Sequence, residues 1–279
     1  MLPAFVASLI LVGIHGYLGI HIIARGVIFV DLALAQVAAM GWALASLGVG
    51  DRFAEALGVP HGVAAYGIGL VATLIAAAVV SVTRMHGTRV PQEAIIGILY
   101  VVATAGTILL ASLAPRGSEH VEQLLTGALL WVTWSDIRTL VIIYSVIGVA
   151  QWFLRHRFFT ISLEPEKAVH QGWRIAAWDF LFYALFGVVV TSAVAIAGVL
   201  VVFAFLVIPA VVAFLFTTNP RSLILIAWAF GFAVSTIGLW ASFVTDLPTG
   251  PMIVVAFGLA LMVAFGVRTA LGWKTAKAE

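Results

Sequence analysis

At 279 residues, 63% of them hydrophobic and only 9% charged, this chain carries more apolar side chain than a water-soluble fold can bury; soluble domains average roughly 45–50% apolar and about 25% charged. A net charge of +2 argues against a nucleic-acid surface, and the lack of cysteine excludes disulfides, thiolate metal sites, cysteine nucleophiles and a lipid-modified N-terminal cysteine. The expectation is an all-α integral membrane protein, a single transmembrane domain over residues 1–279 with no room for a soluble catalytic domain.

The start, Met-Leu-Pro-Ala-Phe-Val, lacks the basic region of a cleavable signal peptide, so residue 1 is read as the beginning and the first span as retained. A bilayer core needs about 20 apolar residues per helix. Windows of that kind fall at 2–24, 27–49, 62–83, 94–113, 137–154, 174–193, 196–216, 222–243 and 250–271. None alternates as barrel strands do. The count is eight or nine helices, because Thr191, Ser192 and Gly198 blur one boundary.

Basic residues orient the bundle. With nine spans and an outside N-terminus, 11 of the 14 Lys and Arg residues lie on one side; only Arg52, Arg116 and Arg138 lie on the other. The first side is therefore read as cytoplasmic, as is the C-terminus. Two connections are long. Residues 114–136 lie outside, with room for a short helix on or in the membrane. Residues 158–172 lie inside, where Ser162, Pro165 and Glu166 read as the lead-in to a short polar helix and Gly172 as its stop. No Gly-x-x-x-x-Gly-Lys-Ser/Thr loop occurs, so the chain cannot grip ATP by that route.

Five stretches, in order, carry a resemblance. Residues 191–213 include Gly198, Leu200, Ala204, Leu206, Pro209, Ala210 and Ala213; residues 242–250 read Ser-Phe-Val-Thr-Asp-Leu-Pro-Thr-Gly. Glu93-Ala-Ile-Ile-Gly-Ile98, the 125–136 stretch and Ser162-Leu-Glu-Pro-Glu-Lys-Ala-Val-His-Gln-Gly172 complete the set. Together they resemble the permease subunits of the ABC importers for zinc, manganese and iron, from about Gly13 to Arg268. The resemblance implies a type II importer permease in a bacterial or archaeal cytoplasmic membrane. It would work as a homodimer, fed by a periplasmic or lipoprotein solute-binding protein and driven by a separate cytoplasmic ATPase dimer that binds the ATP. No cofactor is expected on this chain, the divalent metal being substrate; lipid is a partner and nucleic acid is not. Residues 158–172 become the coupling element, with Glu164, Glu166, Ala168 and Gly172 matching the family's segment. Glu119, His120 and Glu122 become candidates for the outer entry, and Pro209 for the pathway.

The second span departs from that pattern. In the family an Asp and a His four residues apart are the expected ligands in the pathway; here those positions hold Leu32 and Gln36. The acid stands one residue early, at Asp31. At 100° per residue Asp31 and Gln36 point about 140° apart, so one straight helix cannot offer both to one ion. Either the helix is rotated or overwound, or ligands come from elsewhere, or no tight site exists. A carboxylate near mid-membrane costs at least about 2.5–3.5 kcal/mol and is rarely idle. Asp31 is read as a pathway acid, its alternative being a protonated or Arg25-paired structural group.

His15 and His21 read as packing residues and Asp179 as an interfacial charge. His61 lies outside, in ordinary contact with water. Pro209 is expected to kink its helix, and the alanines at 35, 38, 39, 43 and 45 to let the second helix pack closely. The main reading is a metal-importing permease that is not itself an enzyme. The same architecture could instead carry a chelated metal. An ion-gradient-driven carrier expects paired acids or inverted repeats, and an intramembrane hydrolase expects motifs absent here.

Overall fold

The computed structural model describes residues 2–83, 91–113, 127 and 129–272. Among them nine helical spans are long and apolar enough to cross a membrane. They are α1 (Leu2–Arg25), α2 (Val30–Leu44), α4 (His61–Val82), α5 (Gln92–Leu113) and α6 (Trp134–Leu163), then α8 (Ile175–Ala197), α9 (Val199–Phe216), α10 (Pro220–Thr245) and α11 (Thr249–Ala270). The second span continues from α2 through a π-turn, Ala45–Val49, into the short α3 (Gly50–Leu57). The short α7 (Pro165–His170) follows α6.

Lipid offers no hydrogen bonds, so each span closes its own backbone and many of its hydroxyls bond back to the preceding turn. Ser8 donates to Phe5, Thr73 to Gly69 and Thr104 to Tyr100, each at 2.8 Å. Helix ends use standard chemistry. Thr133 and Asp136 form a reciprocal capping box at the start of α6. Gly26, at φ +68°, closes α1 with bonds from Gly26 to Ile23 and from Val27 to Ile22, a Schellman arrangement that only glycine adopts without strain. Gly198, at φ +78° and ψ 160°, separates α8 from α9 and makes the count nine.

Spans α1, α2, α8 and α9 form the middle, and α5, α6 and α11 the largely exposed rim. Helix α1 packs on α6, α9 and α10; α2 lies between α4 and α5; α4 packs on α8. The alanines at 35, 38, 39, 43 and 45 are buried, as their small size suggested. Helix α9 remains helical across Pro209, whose ring lies against Gly231 of α10.

The far ends of two spans differ from the hydropathy reading: the second runs to Leu57, beyond the window that ends at 49, and α6 is longer too. The window 137–154 underestimates α6, which runs to Leu163; Arg155, His156 and Arg157 lower the hydropathy but are compatible with helix, and Phe158 and Ile161 beyond them are buried. Ser162 therefore ends α6 instead of leading in the next helix. Residues 114–126 and 128 of the long connection before α6 lie outside the described residues, and with them Glu119, His120 and Glu122; a 3-10 turn, Leu129–Trp131, precedes α6.

Close helix contacts give a first test. A Cβ added to Gly19 of α1 would overlap the Leu206 carbonyl oxygen of α9, whereas one added to Gly67 of α4 meets nothing. Gly19→Ala is expected to destabilise the fold by about 1–3 kcal/mol through overpacking against backbone. Gly67→Ala should leave stability unchanged or raise it by up to about 1 kcal/mol. Unfolding curves of the two variants in detergent decide the point; equal stabilities would contradict this packing.

Candidate functional site

Two acids converge on the start of α2. After the Gly26 turn, Val30 opens the helix and Asp31 occupies its first turn, 1% exposed. Neither carboxylate oxygen of Asp31 has a hydrogen-bond partner among the described residues. From the first turn of α5, Glu93 reaches across so that its Oε1 accepts the Phe29 backbone N–H at 3.1 Å, while its Oε2 is buried and unpartnered. The positive end of the α2 dipole favours anions here by about 0.3–1 kcal/mol each, too little to repay a buried carboxylate. Asp31 lies near one end of its span and not at mid-membrane. Glu93 stood inside a recognised motif but was not singled out as a site residue; its placement depends on a contact 64 residues apart.

Helix α2 is regular from Val30 to Leu44, and its irregular turn comes only at Ala45–Val49. No overwinding therefore brings Asp31 and Gln36 onto one face. Gln36 is buried, with its backbone carbonyl 3.5 Å from the Thr107 hydroxyl of α5, and Leu32 is half-buried. Met40, one turn beyond Gln36, packs against Gly106 of α5. The stripe Leu32–Gln36–Met40 thus turns toward α5. Among the described residues no group of three or more His, Cys, Asp or Glu could hold a metal ion.

Asp31 is not paired with Arg25. The Gly26 turn sends the two apart, and Arg25 instead meets Asp179 of α8 at 2.6 Å, both side chains essentially unexposed. Asp179 is therefore a buried ion-pair member, not an interfacial charge. Arg25 also donates to the Ser162 hydroxyl at 2.9 Å and lies 4.0 Å from the centre of the Phe182 ring. His21 Nδ1 is 3.0 Å from the same hydroxyl, within a nest of Tyr17, Phe159 and Phe182 rings. His15 Nδ1 bonds the Leu11 carbonyl at 2.7 Å. Both histidines pack helices together. On the opposite side, His61 lies 2.8 Å from Asp51 in an exposed pair.

Helix α7 begins with Pro165 at its first position and ends at Gly172, φ +71°, which accommodates bonds from Gly172 to Val169 and from Trp173 to Ala168. Glu164 and Glu166 are exposed, and Glu164 pairs with Lys167 at 2.8 Å. Ala168 is fully buried beneath the helix. Val169, overlooked in the sequence, is 50% exposed, an apolar contact point presented by a short polar helix. Ser162, two residues before Glu164, links this element to Arg25.

The model of the ABC 3 transport family matches residues 1–268. The chain is 27% identical over 265 residues to the chelated iron transport system membrane protein YfeC of Yersinia pestis, covering 95% of this chain and 85% of that one. It is likewise 27% identical over 266 residues to the manganese transport system membrane protein MntC of Listeria monocytogenes, covering 94% and 88%. PsaBC from Streptococcus pneumoniae, solved in complex with a Fab, shares the fold with a TM-score of 0.75 and 21% identity, over 94% of this chain and 90% of that one.

Proposed function

Because the chain belongs to the ABC 3 transport family, whose members are the transmembrane permease subunits of ABC transporters, we propose that it imports a divalent transition metal, zinc, manganese or ferrous iron. It does so as a homodimer working by alternating access. A separate ATPase dimer docks on α7 through Glu164, Glu166 and Val169, with Ala168 and Gly172 fixing the shape of that handle. The N-terminus is outside and α7 cytoplasmic, in line with the 11-to-3 division of basic residues. A solute-binding protein delivers the ion to the outer mouth, where Glu119, His120 and Glu122 are the entry candidates.

The observation that carries the metal cargo is the full-length likeness to relatives named for iron and for manganese transport. Within the chain, Asp31 is the buried unpartnered acid that attracts the cation, with Glu93 beside the same helix end; Leu32, Gln36 and Pro209 line the pathway. Gln36 contributes at most a neutral carbonyl oxygen, a poorer ligand than imidazole. One observation favours a second cargo: with leucine and glutamine at the family's ligand positions, a chelated metal would be held by its chelator.

The test is ATPase stimulation and metal accumulation by the complex reconstituted with its ATPase, across free ions and chelates. Free manganese, ferrous iron or zinc should stimulate. Stimulation by a chelate alone selects the second cargo, and none by either ends the metal reading. Leu32→Asp with Gln36→His places a carboxylate and an imidazole one turn apart on one face. It should lower the half-maximal free-ion concentration by about tenfold or more, since one charge-assisted contact is worth about 1.5–3 kcal/mol.

A further inference from the structure

A cavity of about 460 Å³ opens sideways between α1, α6 and α10, within the size range of small-molecule sites, roughly 300–1,000 Å³. Its walls are graded. Toward one end it is bounded by Tyr17, Gln151 and Arg155, and toward the other by Ile10, Ile14 and Val141. Residues 141 and 155 are about 21 Å apart along α6 by helical rise, a span suited to an extended chain lying along the bundle.

The polar end is underused by the protein itself. Gln151 is 2% exposed, yet neither its amide nitrogen nor its oxygen has a hydrogen-bond partner among the described residues, and the Tyr17 hydroxyl is likewise buried and unpartnered. Arg155 lies 3.9 Å from the centre of the Trp152 ring and donates to the Trp152 carbonyl, and no carboxylate among the described residues pairs with it. A cation on an aromatic face, a turn below an unsatisfied amide and beside an apolar slot, matches an amphiphile with an anionic head. Basic pockets between transmembrane helices on the cytoplasmic side bind anionic lipid head groups.

We propose that this cavity binds one anionic phospholipid, its phosphate on Arg155, its ester groups at Gln151 and Tyr17, and an acyl chain along Ile10, Ile14 and Val141. A second copy of the chain is the weaker occupant. Helices α1 and α10 carry no acidic residue, and the only one on α6, Asp136, lies at its far end. A copy docked through this face would bring basic side chains to a basic rim. Only the assignment to the cytoplasmic leaflet rests on the orientation proposed above; the site itself does not.

The full chain, stripped of lipid in detergent, is offered phosphatidylglycerol or phosphatidylcholine of the same acyl composition, and retained adducts are counted by native mass spectrometry. Phosphatidylglycerol should be held preferentially. Arg155→Gln should weaken it about fivefold, the effect of one basic residue at a membrane surface, and leave phosphatidylcholine unchanged, while Arg155→Lys preserves the preference. Gly148→Leu is the second variant, since a side chain there meets nothing within 4 Å and projects into the cavity it lines; it should weaken both lipids alike. Equal retention of both lipids by the parent and by Arg155→Gln overturns the proposal. So does displacement by inorganic phosphate, which makes it a free-anion site. Disulfide cross-linking of two Gly148→Cys copies in membranes also overturns it, by making the cavity a subunit contact.

Discussion

Asp179→Leu is expected to destabilise the bundle by about 3–5 kcal/mol, the cost of leaving a buried charge without its counter-ion. Arg25 and Asp179 meet at 2.6 Å with side-chain exposures of 1% and 0%, so solvent cannot take over for a missing partner. Arg25→Met should cost a similar amount by removing the counter-ion that Asp179 meets at 2.6 Å. The double variant Arg25→Met/Asp179→Leu should recover to within about 1 kcal/mol of the parent, because matched apolar replacement of a buried pair is often neutral or stabilising. Reversible unfolding in mixed micelles supplies the four stabilities of this cycle. Additive losses, with the double variant about 6–10 kcal/mol below the parent, would show that the pair is not coupled and that the two side chains act through other contacts. The Arg25–Ser162 bond and the Phe182 contact are lost with Arg25 in either case, so recovery is predicted to be close but incomplete.

This pair also marks where sequence legibility ends. The spans were readable because bilayer thickness imposes a length on apolar runs, and α7 was readable because proline opens and glycine closes a short helix. The far end of α6 was not, since hydropathy reports the solvent a residue prefers and not whether its backbone stays helical; Arg155, His156 and Arg157 changed the first without the second. Asp179 looked like a surface charge because it lies five residues from Arg174 near the end of an apolar window. Sequence distance gives a position along a helix axis, but not which of several neighbours its azimuth meets. Arg25 is six residues from Asp31 and 154 from Asp179, yet the left-handed turn at Gly26 separates the near pair and helix packing joins the far one. The same limit hid Glu93, whose part at the α2 terminus comes from α5. The departure at Leu32 and Gln36 from the family's Asp/His pair was legible through the resemblance, but only the regular course of α2 closed the alternative of an overwound helix.

Asp31→Asn is expected to separate function from stability. An ionised carboxylate costs about 2.5–3.5 kcal/mol at the centre of a span; Asp31 lies near one end, where the cost is smaller, and its place in the first turn of α2 returns about 0.3–1 kcal/mol. With neither oxygen hydrogen-bonded among the described residues, the neutral amide should leave stability unchanged or raise it by up to about 1 kcal/mol. Metal uptake should fall about tenfold or more, since a charge-assisted contact worth about 1.5–3 kcal/mol is lost from the cation. Glu93→Gln keeps an acceptor for the Phe29 N–H and so should fold normally, with uptake reduced in the same direction. A structural acid behaves oppositely: its asparagine variant loses stability, and uptake falls only in proportion to the folded protein remaining. Measuring uptake per folded molecule alongside unfolding separates the two. Normal uptake by Asp31→Asn would remove this residue from the pathway, whereas a protein no less stable than the parent, with impaired uptake, would identify an acid retained for its cargo and not for the fold.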